Sequence, residues 1–203
     1  MNSALIIIDM QNDFMPGGSL AVPGGDEIIP LINVLQKSFG CVIATQDWHP
    51  FDHGSFASNH PDKKPFDVIE LFGLQQRLWP DHCVQGSSGA DFHADLNTDS
   101  IQAIFRKGMD PSVDSYSGFY DNGHRNQTGL MGYLRGLQIS KLYFCGLAAD
   151  YCVYFSIRDA SQAGFECVLF ADATRPISQQ TFDNILLELP DKGINVMQGH
   201  DYS

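Results

Sequence analysis

Four side chains capable of acid–base or nucleophilic chemistry sit at the ends of short apolar runs in this 203-residue chain. Asp9 follows Ala4-Leu-Ile-Ile-Ile8, Asp47 ends the run from Cys41, Lys107 ends the run from Ala103, and Cys152 comes just past the run ending at Gly146. A thiol attacks as its thiolate, and a helix N-terminus or a nearby cation lowers its pKa. Position 152, in the first turn of an expected helix, has the first influence, and Lys107 could supply the second. Asp9 could take the thiol proton and later hand it to a departing amine. The turn Gly146-Leu-Ala-Ala-Asp150 leaves backbone N–H groups of the early helix free, as an oxyanion requires. Taken singly, a cysteine such as Cys152 is more often a small buried hydrophobe than a nucleophile. Cys41, Cys145 and Cys167, inside apolar runs, receive that reading.

A second cluster could hold a metal. In Asp47-Trp-His49, residues i and i+2 at a strand end point to the same side, so a carboxylate and an imidazole can share one ion. Two protein ligands rarely suffice. His82, in Trp79-Pro-Asp-His-Cys83, is the best third, and His53 is a reserve ligand or outer partner. His60, His93, His124 and His200 read as loop or capping residues. Phe14, Trp79 and Tyr116 lie in stretches rich in Gly, Pro and Asp; each would ordinarily be a packing residue, yet a flat aromatic substrate needs such walls.

These residues need a scaffold that brings strand ends together. Ala4 to Asp9, Cys41 to Asp47, Ala103 to Lys107, Lys141 to Gly146, Glu166 to Asp172 and Ile194 to Gln198 read as strands. Several are continuously apolar, which suits strands covered on both faces of a parallel sheet. Asp26 to Phe39, Thr128 to Leu137, Asp150 to Ala163 and Ser178 to Leu189 read as helices, with Pro30 tolerated in a first turn and Pro190 as a stop. The fold class is therefore α/β: a doubly wound, mostly parallel sheet of about six strands with helices on both faces. No composition shift marks a boundary, so residues 1–203 read as a single domain. The stretch of about 48–97 is rich in His, Pro, Asp and Gly, with a short helical piece expected near Leu71 to Leu78. A loop region of that length is usually functional.

A net charge of −12 argues against nucleic acid and against an anionic membrane surface, since both need clustered Lys and Arg. No apolar run is long enough to span a bilayer, and no basic segment with a signal-length apolar run opens the chain. Five cysteines without CxxC spacing then read as free thiols in a reducing cytoplasm. GxSxG, Walker A and GxGxxG patterns are lacking, which removes serine α/β-hydrolase, P-loop and dinucleotide readings.

The residues also resemble a family. Asp9-Met-Gln-Asn-Asp-Phe-Met-Pro-Gly-Gly-Ser-Leu20, Gln46-Asp-Trp-His-Pro50, His53-Gly-Ser-Phe56 and Trp79-Pro-Asp-His-Cys-Val-Gln-Gly86 come first. Lys107-Gly108, Asp114-Ser-Tyr-Ser-Gly-Phe119 and Gly146-Leu-Ala-Ala-Asp-Tyr-Cys-Val153 follow. Together they resemble the nicotinamidase/pyrazinamidase branch of the isochorismatase-like hydrolases, over roughly residues 4–175 and in family order. The resemblance implies that Asp9, Lys107 and Cys152 are the catalytic set. It also implies that Asp47, His49 and His82 hold one divalent metal ion, zinc first and iron or manganese next, with His53 approaching or joining it. By the same resemblance Phe14 and Trp79 sandwich the ring, and Leu20 and Tyr116 line the pocket. The backbone N–H groups of Ala148 and Cys152 form the oxyanion hole, with a cis peptide before Ala148. The implied reaction is hydrolysis of nicotinamide, and of pyrazinamide, through a cysteine thioester, serving NAD salvage; homo-oligomerisation stays open. Ala149 stands where many relatives have Thr, and beyond Arg175 the resemblance thins.

Three rivals bear on this reading. An amidohydrolase of carbamoyl or ureido substrates would keep Asp9, Lys107 and Cys152 but need no metal, so Asp47, His49 and His82 speak against it. An isochorismatase lacks the cysteine. A non-catalytic module that keeps only the pocket is expected to lose a member of the catalytic set, and none is missing.

Overall fold

The strand ends do converge. In the computed structural model, which describes residues 2–202, six strands pair in parallel into one sheet. They are β1 (Ser3–Ile8), β2 (Val42–Asp47), β5 (Ala103–Lys107), β6 (Lys141–Leu147), β7 (Glu166–Arg175) and β8 (Asn195–Met197). The order across the sheet is β5-β2-β1-β6-β7-β8. The helices are α1 (Ile29–Leu35), α2 (Leu130–Gly136), α3 (Tyr154–Gln162) and α4 (Gln179–Glu188). All six expected strands and four expected helices are present. Among the described residues, no helix is long and apolar enough to cross a membrane.

Alternation along a strand sorts the two cores. Leu5 and Ile7 of β1 pack with Ile32 and Leu35 of α1. Ala4, Ile6 and Ile8 point the other way and pack with Leu134 of α2, Ile157 of α3 and Phe182 of α4. Because both faces are covered, β1 is apolar at every position from Ala4 to Ile8, as a two-sided buried strand must be. The topology then places the site. From the central β1 the chain builds β2 and β5 to one side, and later β6, β7 and β8 to the other. The crevice at such a reversal, beyond the carboxyl ends of the strands, is where open α/β sheets bind ligands.

Three local expectations are corrected. The stretch Leu71 to Leu78 is not helical: β3 (Val68–Leu71) and β4 (Leu74–Arg77) form an antiparallel hairpin apart from the main sheet. Phe72 and Gly73, both at positive φ, make the two-residue turn that closes it. Cys152 lies not in the first turn of an α-helix but in a π-helical segment, Ala149–Val153, where the Val153 N–H reaches back to the Ala148 carbonyl. β7 runs three residues past Asp172, to Arg175, because a bulge opposite Phe144–Gly146 lets it keep pairing with β6.

Gly146, near the end of β6, sits between Ile8 of β1 and Thr174 of β7 where the backbones approach closely. Its φ is +106°, and a Cβ there would stand 2.1 Å from the carbonyl oxygen of Ile8. Gly146→Ala is therefore expected to cost about 3 kcal/mol or more through overpacking and backbone strain. That should read as a melting temperature lower by roughly 6–12 °C for a chain of this size. A calorimetric melting point equal to the parent's would show that this crossing has slack the structure does not reveal.

Candidate active site

The register of the sheet sets the first contacts. Asp47 is the partner of Lys107 across β2 and β5, and Asp9 follows directly on β1 between β2 and β6. Lys107, with its side chain wholly buried, lies 2.9 Å from Asp9 Oδ2 and 3.0 Å from Asp47 Oδ1. Its ammonium also donates to the Ser115 carbonyl at 3.0 Å and to Cys152 Sγ at 3.4 Å. Thr45 Oγ1 donates to Asp9 Oδ1 at 2.6 Å, which fixes the carboxylate from its other side.

Burial, the largest influence on Lys107, would discharge it, but Asp47 and Asp9 hold its pKa well above the ordinary value. Burial raises Asp9 above the usual carboxylate range despite Lys107. It also pushes the Cys152 thiol well up; Lys107 opposes this, while Asp9 and Asp47 add to it. The expected lowering of the thiol pKa by the cation is thus outweighed. At rest the sulfur keeps its proton, beside a carboxylate whose raised pKa suits it to accept one.

The metal candidates also meet. Ligand atoms of Asp47, His49 and His82 all lie within 4.8 Å of one another. His49 Nδ1 donates to the Gly108 carbonyl and His82 Nδ1 to the Pro80 carbonyl, each at 2.8 Å. A carbonyl only accepts, so each neutral ring keeps its lone pair on Nε2. Those atoms stand 3.1 Å and 3.5 Å from Asp47 Oδ2. His49 Nε2 is buried and makes no hydrogen bond among the described residues. A buried lone pair without a donor, beside an imidazole and a carboxylate, fits a divalent cation. Burial opposes protonation of His49, yet Asp47 raises its pKa, so metal and proton compete for this nitrogen.

His53 differs. Its Nδ1 accepts the Ser55 N–H at 3.1 Å, so the neutral ring carries its proton on Nε2. Burial and His49 push its pKa down to about 4, which keeps the ring neutral near pH 7. In this tautomer its Nε2–H is buried and meets no acceptor among the described residues.

One pocket collects the expected walls. Phe14, Leu20, Trp79 and Tyr116 line it together with Ala148, Cys152, Asp47 and His82. Asp9, Lys107, His49 and His53 are buried. The Leu147–Ala148 peptide is cis, as the resemblance implied. The Ala148 carbonyl accepts from Tyr151 and Val153, each at 3.1 Å. His60, His124 and His200 lie in local contacts elsewhere: on the Gly54 carbonyl, stacked on Tyr120, and paired with Asp172.

Sequence reasoning missed several participants. Asp114, Tyr151 and Ile177 also line the pocket. Asp114 and Tyr151 stand inside two of the recognised motifs, which was the available signal; Ile177 had none. Gln11 joins β1 to β2 by exchanging hydrogen bonds of 2.8 Å with both backbone groups of Asp47. Gly108, next to Lys107, lets its loop pass under His49: a Cβ there would stand 2.3 Å from His49 Cε1.

The fold is a doubly wound α/β sheet, and the arrangement places a thiol where it could serve hydrolysis as a nucleophile. The profile of the isochorismatase domain matches residues 3–201, and the chain belongs to that family. It is 48% identical over 176 residues to the nicotinamidase of Acinetobacter baylyi, covering 87% of this chain and 82% of that protein. It also resembles the solved nicotinamidase–pyrazinamidase of Acinetobacter baumanii: TM-score 0.96, 44% identity, 100% of this chain and 98% of that one. A pyrazinamidase of Pyrococcus horikoshii in complex with zinc superposes with a TM-score of 0.81 at 37% identity, covering 98% and 99% of the two chains.

Two expectations follow from this geometry. Gly108→Ala should push the His49 ring aside and lower the affinity for divalent metal by about tenfold or more, as loss of outer support does elsewhere. Competitive titration with a chromophoric chelator measures it, and an unchanged affinity would free His49 from this constraint. Lys107→Met removes the one charge that favours the thiolate, so the Cys152 pKa should rise further. Mass-spectrometric alkylation of Cys152 should then begin at higher pH than in the parent, with turnover down by about a hundredfold or more. Coincident alkylation profiles would take Lys107 out of the site.

Proposed function

We propose that the protein is a nicotinamidase, an amide hydrolase that converts nicotinamide to nicotinic acid and ammonia, supplying pyridine-nucleotide salvage, and that it also accepts pyrazinamide. The observation that carries this is the single pocket in which Cys152, its partners Lys107 and Asp9 just behind, shares walls of Phe14, Trp79 and Tyr116 with Asp47 and His82. A flat heteroaromatic amide needs both halves: a wall for the ring and a nucleophile for the carboxamide. Curated and structural relatives with that activity, similar over nearly the whole chain, support the same substrate.

In this reading the carboxamide lies beside Cys152. Asp9 takes the thiol proton as sulfur attacks, and Lys107 balances the negative charge that proton transfer leaves on sulfur. The backbone N–H groups of Ala148 and Cys152, at the start of the π-helical segment, receive the oxyanion. Asp9 gives its proton to the departing ammonia, leaving an acyl thioester on Cys152. It then takes a proton from water, whose attack releases the acid. Asp47, His49 and His82 would hold a divalent ion; the ligand set suits zinc, iron or manganese, and the zinc complex of a pyrazinamidase relative favours zinc, which when bound would supply an anchor for the ring nitrogen. His53, whose ring lies 4.4 Å from that of His49, would support that site from outside. The five free thiols suit a cytoplasmic protein.

Ammonia release from nicotinamide tests the proposal. Cys152→Ala should lower it by about a thousandfold or more without loss of the fold, because only the nucleophile is gone. Metal removal should mainly raise KM, and benzamide, without the ring nitrogen, should be a poor substrate of the metal-loaded enzyme. Substantial turnover by the Cys152 variant would sink the thioester route; equal rates on benzamide and nicotinamide would sink the anchoring role.

A further inference from the structure

The hairpin of β3 and β4 is largely exposed, with Val68 at 54% and Phe72 at 65%. Gln76, on the same hairpin, is only 3% exposed. A buried amide is costly unless its donors are used, and here they are. Gln76 Nε2 lies 2.9 Å from Asp114 Oδ2, 3.1 Å from Tyr116 Oη and 2.6 Å from the Arg77 carbonyl, so its two hydrogens are shared among three acceptors. Tyr116 Oη also accepts from Trp79 Nε1 at 3.2 Å. Two N–H groups thus converge on one phenolic oxygen. The two rings meet edge to face with centroids 6.1 Å apart, and both touch Tyr151, at 5.0 Å from Trp79 and 5.4 Å from Tyr116.

The chain reinforces the link. Trp79 follows β4 by two residues, and Phe66, just before β3, packs edge-on against its indole at 6.0 Å. The backbones of Phe66 and Asp67 also exchange hydrogen bonds with Leu78. Hairpin and wall therefore move together or not at all, and the amide of Gln76 is their polar tie to the loop carrying Asp114 and Tyr116.

We infer that Gln76 is a positioning residue of the ring site, orienting Trp79 and Tyr116 through its amide and latching the exposed hairpin to the pocket wall. This rests on the reading that the pocket holds the ring of nicotinamide. Its hydrogen-bond partners are Asp114 and Tyr116 and the neighbouring Arg77 carbonyl; Cys152, Asp9 and Lys107 are not among them. Losing the amide should weaken ring binding and spare the chemical steps.

The test compares Gln76→Met, which keeps length and loses both donors, with Gln76→Glu, which keeps shape and turns donor into acceptor. Glu70→Ala, on the exposed face of β3, is the control. Trp48→Phe in every protein leaves Trp79 as the only indole of the two tryptophans. Both Gln76 variants should show KM for nicotinamide raised about tenfold and kcat within about threefold, as uniform binding loss requires. Bound metal should be unchanged, Trp79 emission should shift, and Glu70→Ala should match the parent. Unaltered KM, a loss confined to kcat, a KM rise that tracks metal loss, or the same effect from Glu70→Ala would each overturn the assignment. A parent that fails to hydrolyse nicotinamide would sink the functional reading instead. Trp79 emission would then decide on Gln76 alone, and identical emission in parent and variants would overturn it.

Discussion

A buried ammonium is tolerable only where anions and acceptors surround it, and the site is arranged around that requirement at Lys107. The ion needs two carboxylates from two other strands and a carbonyl from a loop, and it has them within about 3 Å. Asp9 and Asp47 cannot lie so close together in a buried crevice without the cation between them. Each of the three groups therefore holds the other two in place. The cluster also settles the behaviour of the sulfur, which feels one cation at contact range and two carboxylates nearby, in a place that burial makes hostile to charge. A thiol so placed stays protonated until its proton has somewhere to go, and Asp9 is that place.

The sheet order makes the cluster unavoidable. Asp47 and Lys107 are register partners at the ends of β2 and β5, and Asp9 closes the neighbouring β1, so the three side chains meet at one edge of the sheet. Cys152 comes from the other wing of the sheet, after β6, and reaches them because β1 and β6 are neighbours at the reversal of the winding. Gly146 lets β6 pass the backbone of Ile8 there, where no side chain would fit. The π-helical segment that follows presents the sulfur in a turn wider than an α-helix, a departure often found where backbone geometry serves a site.

Around the cluster, the long irregular stretch between β2 and β5 supplies what strands cannot. His82 and Trp79 come from it, and backbone carbonyls of this stretch and of the turn after β5 orient imidazoles. Gly108 and Pro80 each accept from one Nδ1, which leaves Nε2 of His49 and His82 facing Asp47. The same stretch gives His53 the opposite tautomer through the Ser55 N–H. Three histidines with the same intrinsic chemistry are thus divided into two lone-pair donors and one N–H donor by which backbone group each meets.

Much of this was legible in the residues. Continuous apolar runs and helical stripes specified six strands and four helices, because covering both faces of a sheet forces that pattern whatever the neighbours are. Asp9, Asp47, Lys107 and Cys152 were visible as reactive groups at run ends, and the ordered motifs tied them to a family. Other features depend on partners distant in sequence. The Phe72–Gly73 hairpin looked helical because Leu71, Leu74, Gln75 and Leu78 have helical spacing, and only two positive-φ positions broke it. The pKa directions of Asp9, Lys107 and Cys152, the tautomer of His49 and the burial of Gln76 come from atoms distant in sequence, such as the Lys107, Gly108 and Asp114 contacts, whereas His53 and His82 take their tautomers from backbone groups two residues away. The sequence by itself determined the alternation of strand and helix and the kinds of reactive group available, since these follow from local periodicity and residue chemistry. Only the tertiary structure decided which groups meet, which stay charged and which nitrogen of His49 carries its proton, because Coulomb attraction, desolvation and hydrogen bonding between distant residues act through space and not along the chain.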